Sequence, residues 1–337
     1  MGMRALFAAA ALLIGIAGAA QAATLDDVKA RGSLNCGVNP NLQGFGARDA
    51  EGNYAGFDAD FCRAVATAVL GGPAKVTFVP LSLKERFDAL KSGKVDVLAR
   101  NTTWTMDRET AMPLRFAGVS YYDGQGFIVK KLLGVTSALQ LSGAAICFQT
   151  GATTEANVED FFREKNMTFV PVRFETLDDL VKAFDEGKCD TFTTDVSGLY
   201  AVRLRLKNPD EAMVLQDVIS KEPLGPAVRQ GDEQWLNIVR WTLYALITAE
   251  ELGITSVNVD EQKATSNNAA VRRLLGVNGP GGASMGLDAD WAARTIKAVG
   301  NYGEIFDRNL GPSTPLAINR GINALWNAGG LLYAPPM

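Results

Sequence analysis

An α/β fold of two similarly built lobes is what this 337-residue chain predicts. Strand-like and helix-like segments alternate, an eight-residue helix-to-strand junction recurs, and the length accommodates two ordinary cores. The junction at 89–96, Ala-Leu-Lys-Ser-Gly-Lys-Val-Asp, returns at 183–190 as Ala-Phe-Asp-Glu-Gly-Lys-Cys-Asp, with four of eight positions identical and an offset of 94 residues. Ligands of open α/β sheets bind at the carboxyl ends of strands. Here those ends are Arg100, Asn101, Thr102 and Thr103 in one copy and Thr193, Thr194 and Asp195 in the other. A cleft between two lobes brings these loops face to face.

The elements of the first lobe follow in order. Residues 34–39 read as a strand, 49–53 as a turn and 57–70 as a helix stopped by Gly71-Gly72-Pro73; 76–80 is the next strand. Ser82-Leu83-Lys84-Glu85 matches a capping box. The helix it opens turns Phe87 and Leu90 inward and stops at Gly93, and 95–99 is again a strand. Residues 241–247 read as helix core. After about 255 the pattern changes: Gly279-Pro280-Gly281-Gly282 looks like a linker, and 290–306 and 319–326 read as helices of a C-terminal extension packed on the first lobe.

Composition excludes several functions. Hydrophobic residues are 47% and charged residues 21%, the balance of a folded protein. Histidine is absent, which removes Ser-His-Asp and Cys-His catalysis, histidine-ligated metals and histidine pH switches. With 33 basic and 37 acidic residues there is no electrostatic footprint for nucleic acid. No cofactor or metal is implied. Arg4, the apolar run to Ile16 and Ala20-Gln21-Ala22 describe a secretory signal peptide over 1–22. Its removal takes away Arg4 alone and leaves a net charge of −5. Export implies an oxidising compartment, so Cys36, Cys62, Cys147 and Cys189 read as disulfides. Of three pairings, Cys36 with Cys62 and Cys147 with Cys189 keep each bridge local.

Two loops carry the chemistry. Thr103 and Thr105, a helix start near Thr105 and Arg108 form a carboxylate receptor, since a guanidinium grips a carboxylate with two parallel hydrogen bonds. Asp195 in the facing loop suits an ammonium, although aspartate is also a favoured helix N-cap. Gln149-Thr150-Gly151-Ala152-Thr153-Thr154 adds a loop fit for backbone contact with a carboxylate, or an ordinary cap at Thr153. Together they describe a receptor for a free α-amino acid.

Several stretches resemble a known family: Gly56-Phe57-Asp58-Ala59-Asp60-Phe61, the 101–108 segment Asn-Thr-Thr-Trp-Thr-Met-Asp-Arg, Gly151-Ala152-Thr153-Thr154-Glu155, Thr193-Thr194-Asp195 and the 222–229 segment Glu-Pro-Leu-Gly-Pro-Ala-Val-Arg. The chain is similar over nearly all of its mature length to the periplasmic amino-acid-binding proteins of ABC importers. These have the type II, two-lobed "Venus flytrap" fold, each lobe a mixed sheet flanked by helices. The tail 297–304 is most similar to the general L-amino-acid-binding members. The resemblance implies Arg108 and Thr103 as carboxylate contacts, Asp195 as the ammonium partner and Thr153 as a donor from the second lobe. It places Asn101 where a backbone carbonyl or small polar group meets the ammonium, and Arg100 where it can meet an acidic or amide side chain. Leu42 stands where many members stack an aromatic ring on the ligand, a departure that fits a tolerant pocket.

The implied lobes are 24–123 with 226–337, the extension covering about 280–337, and 124–225. The crossings fall near Tyr122-Asp123-Gly124 and residues 223–226. The expected protein is a periplasmic monomer that closes on a free L-amino acid, of many kinds, and presents it to the permease of an inner-membrane importer. One alternative is selectivity for acidic amino acids and their amides, enforced by Arg100 and Gln125. Another is a cyclohexadienyl dehydratase on the same fold, whose general acid would be Asp58, Asp123 or Asp195. Asp58 reads more simply as a helix cap.

Overall fold

The computed structural model describes residues 24–337; the signal-peptide reading of 1–22 lies outside them. Two five-stranded sheets of the same topology form the two lobes. The first runs Val76–Pro80, Leu34–Val38, Val97–Leu98, Ala227–Arg229, Leu114–Phe116. Its first three strands are parallel, and Ala227–Arg229 is antiparallel to both neighbours. The second runs Val170–Phe174, Ala145–Gln149, Thr191–Asp195, Gln125–Lys130, Ala212–Val214, with the same pattern of directions. The recurring junction leads into Val97–Leu98 in one sheet and Thr191–Asp195 in the other, the central strand of each. Apolar clusters cover both faces of both sheets. Burial on both faces leaves inner strands such as Leu34–Val38 and Gln125–Lys130 without in-out alternation, whereas the edge strands Val76–Pro80 and Val170–Phe174 stay partly exposed.

In each sheet the antiparallel fourth strand follows a passage of the chain from the other lobe. The two passages, Tyr121–Asp123 and Glu222–Leu224, pair antiparallel with Glu222 opposite Asp123. They join so closely to the first sheet that a Cβ on Gly225 would stand 2.0 Å from the Gly118 carbonyl oxygen. The helix Phe57–Leu70 ends at Gly71 in the left-handed conformation, whose N–H closes on the Thr67 carbonyl. Cys36 bridges to Cys62 and Cys147 to Cys189, the local pairing. Loops of 26 and 42 residues correspond to about 3–4 kcal/mol of stabilisation each in the chain-entropy account. No helix among the described residues is long and apolar enough to cross a membrane.

The structure corrects several local expectations. The capping box forms, Glu85 N–H donating to Ser82 Oγ and Ser82 N–H to the Glu85 carboxylate; the regular helix nevertheless begins only at Arg86 and ends at Lys91. The segment 290–306 is two helices, Trp291–Val299 and Tyr302–Asn309, parted at Gly300 with φ +84° and restarted by an Asn301–Glu304 capping box. Residues 319–326 form no α-helix. Gly321 takes φ +49°, and the segment holds one three-residue 3-10 turn, Gly321–Asn323. Its fixed point is Asn323, whose side-chain amide donates to the Tyr122 carbonyl at 2.9 Å and accepts from the Tyr122 N–H at 2.7 Å. The extension therefore hydrogen-bonds directly to one interlobe passage, an anchor that no helical periodicity reveals.

Candidate functional site

Where the carboxyl ends of the central strands meet, the lobes enclose a cavity of about 60 Å³. From the first lobe come Leu42, Arg86, Arg100, Asn101, Thr103 and Arg108; from the second come Gln149, Thr153 and Asp195. All seven residues expected at the site line this one space. A larger, open cavity of about 930 Å³ lies outside it. Its cations already have partners: Arg205 pairs with Asp178, Arg308 with Asp60, and Arg48 donates to the Gly52 carbonyl. The inner cavity, with three buried arginines and a buried acid, is the candidate site.

Arg108 follows Thr105, the N-cap of the helix Met106–Ala111, whose Oγ1 accepts the Arg108 N–H. Its guanidinium is buried over the Phe87 ring and donates to the Thr103 carbonyl at 2.7 Å. Burial lowers its pKa, against the nearby Glu222 and Asp195 carboxylates. Asp195 ends its strand and takes no cap hydrogen bond from the helix Val196–Arg203 that it precedes. Its carboxyl is buried and pushed well above the usual range, first by desolvation and then by Asp123 and Glu222; Arg108 and Arg86 oppose this. An acid so placed gains from a cation.

Arg100 is buried, donates through Nε to the Leu81 carbonyl, and is lowered to about 10 by desolvation. Asn101 sits at φ +34°. Its N–H donates to Asp58 Oδ2 at 2.7 Å, and its Oδ1 accepts from Asn39. Asp58 is thus no helix cap: Gly56 occupies the cap position, and Asp58 pins the Asn101 turn from within the first helical turn. Its carboxyl is raised to about 7 by burial. Gln125 does not reach the cavity. Its amide is spent on the Thr154 carbonyl, Thr193 Oγ1 and Asn157, so it enforces no ligand preference directly.

Two residues escaped the sequence reading. Arg86 is 2% exposed. Its Nη2 reaches across to the Gly151 carbonyl at 3.4 Å, and its buried Nε has no hydrogen-bond partner among the described residues. One arginine in a short amphipathic helix gives no signal that it points inward. The other is Glu222, 1% exposed, on the second interlobe passage. Its Oε2 accepts from Thr103 Oγ1 at 2.6 Å and Thr153 Oγ1 at 2.9 Å. Its Oε1 accepts from Asn157 Nδ2 at 2.6 Å and Ser220 Oγ at 2.8 Å. Three of its four partners, Thr103, Thr153 and Asn157, lie 65 to 119 positions away, and no local pattern announces them.

With this geometry in hand, three relatives are informative. The general L-amino acid-binding periplasmic protein AapJ of Rhizobium johnstonii is 60% identical, over 98% of this chain and 96% of its own. The glutamate/glutamine/aspartate/asparagine-binding protein BztA of Rhodobacter capsulatus is 55% identical, over 98% of both. A solved ABC transporter periplasmic binding protein from Brucella ovis, with glutathione bound, is 55% identical with a TM-score of 0.91, covering 94% of this chain and 99% of that one. Residues 34–255 match the bacterial extracellular solute-binding proteins, family 3. The chain belongs to that family.

Proposed function

We propose that the protein captures free L-amino acids in the interlobe cleft, in the periplasm after cleavage of its signal peptide, and delivers them as a monomer to the permease of an ABC importer. One observation carries this reading: Arg108 from one lobe and Asp195 from the other line the same buried cavity, and Asp195 makes no cap bond. The names of AapJ and BztA support it. Arg108 takes the ligand carboxylate with charge-assisted hydrogen bonds, Asp195 the ammonium, and Asn101 its backbone oxygen. Contact with both lobes favours closure by the ligand's differential affinity for the closed state. The lobes that move are 24–123 with 226–337 against 124–225, about the paired passages. Small-angle scattering tests the closure: amino acid reduces the radius of gyration of stripped protein, and an unchanged radius with saturating ligand contradicts it.

A narrower ligand set, acidic amino acids and their amides, is supported by Arg86, whose buried Nε has no hydrogen-bond partner among the described residues. Arg86→Gln is expected to weaken L-glutamate binding at least thirtyfold while leaving L-alanine within threefold. Equal loss for both ligands assigns Arg86 to the common backbone. Glutathione belongs on the same titration panel, given the Brucella relative. The dehydratase reading lacks a suitable acid pair. Of Asp58, Asp123 and Asp195, only Asp195 lines the cavity; Asp58 is held by Asn101, and Asp123 by Ser197 and the Gly124 N–H.

The buried acids set opposite pH dependences for stability and affinity. Asp58 is raised to about 7 and Asp123 to about 6, and Asp195 is raised as well. Folded protein therefore holds more protons than unfolded protein between about pH 4 and 7. Their contribution is full below the unfolded pKa and is lost as pH rises through the folded values. The melting temperature of stripped protein falls from pH 5 to pH 8. Amino-acid affinity rises over the same interval, because the ammonium needs Asp195 ionised and its proton is released on binding. Parallel trends in melting and titration experiments contradict this account.

A further inference from the structure

Glu222 lies behind the cavity wall, and its hydrogen bonds fix the chemistry of that wall. A carboxylate only accepts, so each hydroxyl bonded to it donates its single proton. Thr103 Oγ1 and Thr153 Oγ1, one from each lobe, both direct that proton to Glu222 Oε2. The remaining donors are also committed: Asn157 Nδ2 divides its two hydrogens between Glu222 Oε1 and Gln125 Oε1, and Ser220 Oγ donates to Glu222 while accepting from the Gln125 N–H. What Thr103 and Thr153 have left for the cavity is lone pairs. Both residues line it, as does Asp195.

We propose that Glu222 is a positioning residue that orients the Thr103 and Thr153 hydroxyls, so that with Asp195 and the Asn101 backbone oxygen they complete the seat for the ligand's ammonium. This rests on the reading of the cleft as an amino-acid site. It reverses the donor role that the sequence suggested for both threonines, and leaves the ligand carboxylate to Arg108 and backbone N–H groups. Because the two hydroxyls belong to different lobes and share one oxygen of a carboxylate on the interlobe passage, the seat is complete only when the lobes are together. Closure and ammonium recognition become one event.

The test is a thermodynamic cycle read by titration with L-glutamate. Glu222→Met keeps the length of the side chain and removes every acceptor for the hydroxyl protons. Thr153→Val removes the hydroxyl, and Thr153→Ser keeps it. Glu222→Met and Thr153→Val each weaken binding at least tenfold, the double variant loses far less than the product of the two, and Thr153→Ser stays within threefold of the unmutated protein. Losses that multiply, or unchanged binding in Glu222→Met, overturn the proposal. Should Glu222→Met not fold, Thr103→Val and Thr153→Val replace it in the cycle: the seat predicts losses that do not multiply, and independent losses overturn it. An unmutated protein that binds no amino acid removes the function itself, and this inference with it.

Discussion

Arg108→Met is expected to leave a folded protein whose affinity for every L-amino acid falls by two to four orders of magnitude. In the proposed site the guanidinium meets the α-carboxylate common to all ligands, and truncating one partner of a buried, hydrogen-bonded charge pair costs about 2–5 kcal/mol or more. Methionine keeps most of the apolar stem and removes the guanidinium, whose Cζ lies over the Phe87 ring, so the loss reports the charged group rather than the stem. A second effect has a stated sign. Arg108 is the first opposing charge on the Asp195 carboxyl. Its removal pushes Asp195 further up, and whatever binding remains becomes more strongly dependent on pH above 7. Titration at pH 7 and pH 9 measures both. Loss confined to one side-chain class would place Arg108 at the wrong end of the ligand.

Asp195→Ala abolishes binding of the same ligands for the opposite reason, and does so without unfolding the protein. The side chain makes no cap bond, so no helix terminus depends on it. Its removal relieves the crowding of Asp195 with Asp123 and Glu222. The melting temperature of stripped Asp195→Ala is expected to equal or exceed that of the unmutated protein at pH 8, where Asp195 and Asp123 are under most pressure to ionise together. Lost binding with retained melting is the signature of a ligand contact. Lost melting would make Asp195 a structural acid, and unchanged affinity would remove the ammonium assignment.

How much of this was legible in the sequence depends on the distance over which each feature is decided. The 89–96 and 183–190 junctions were visible because a helix end, a glycine and a strand start are local, and they led to the central strand of each sheet. The disulfide pairing followed from locality. Arg108, Thr103, Thr153 and Asp195, which line the cavity, stood out because strand ends and helix starts carry them. Glu222 and Arg86 were not, since what distinguishes them is burial against residues 65 to 119 positions away. Asp58 was misread for a related reason. An acid in the first helical turn looks like a cap, and only the fold shows its oxygen on the Asn101 N–H. The 319–326 segment has helix-forming residues, but its contact with Tyr122 holds it as a turn. Gln125 sits at a lobe crossing, yet its amide faces into the second lobe.

Calorimetric titration of protein that has been unfolded, dialysed and refolded, against the twenty common L-amino acids, tests the amino-acid site most directly. Several side-chain classes are expected to bind at micromolar dissociation constants or tighter, about −8 kcal/mol, with the α-carboxylate and the ammonium both required. No heat from any of the twenty would mean that Arg108 and Asp195, though they line one cavity, do not form an amino-acid receptor.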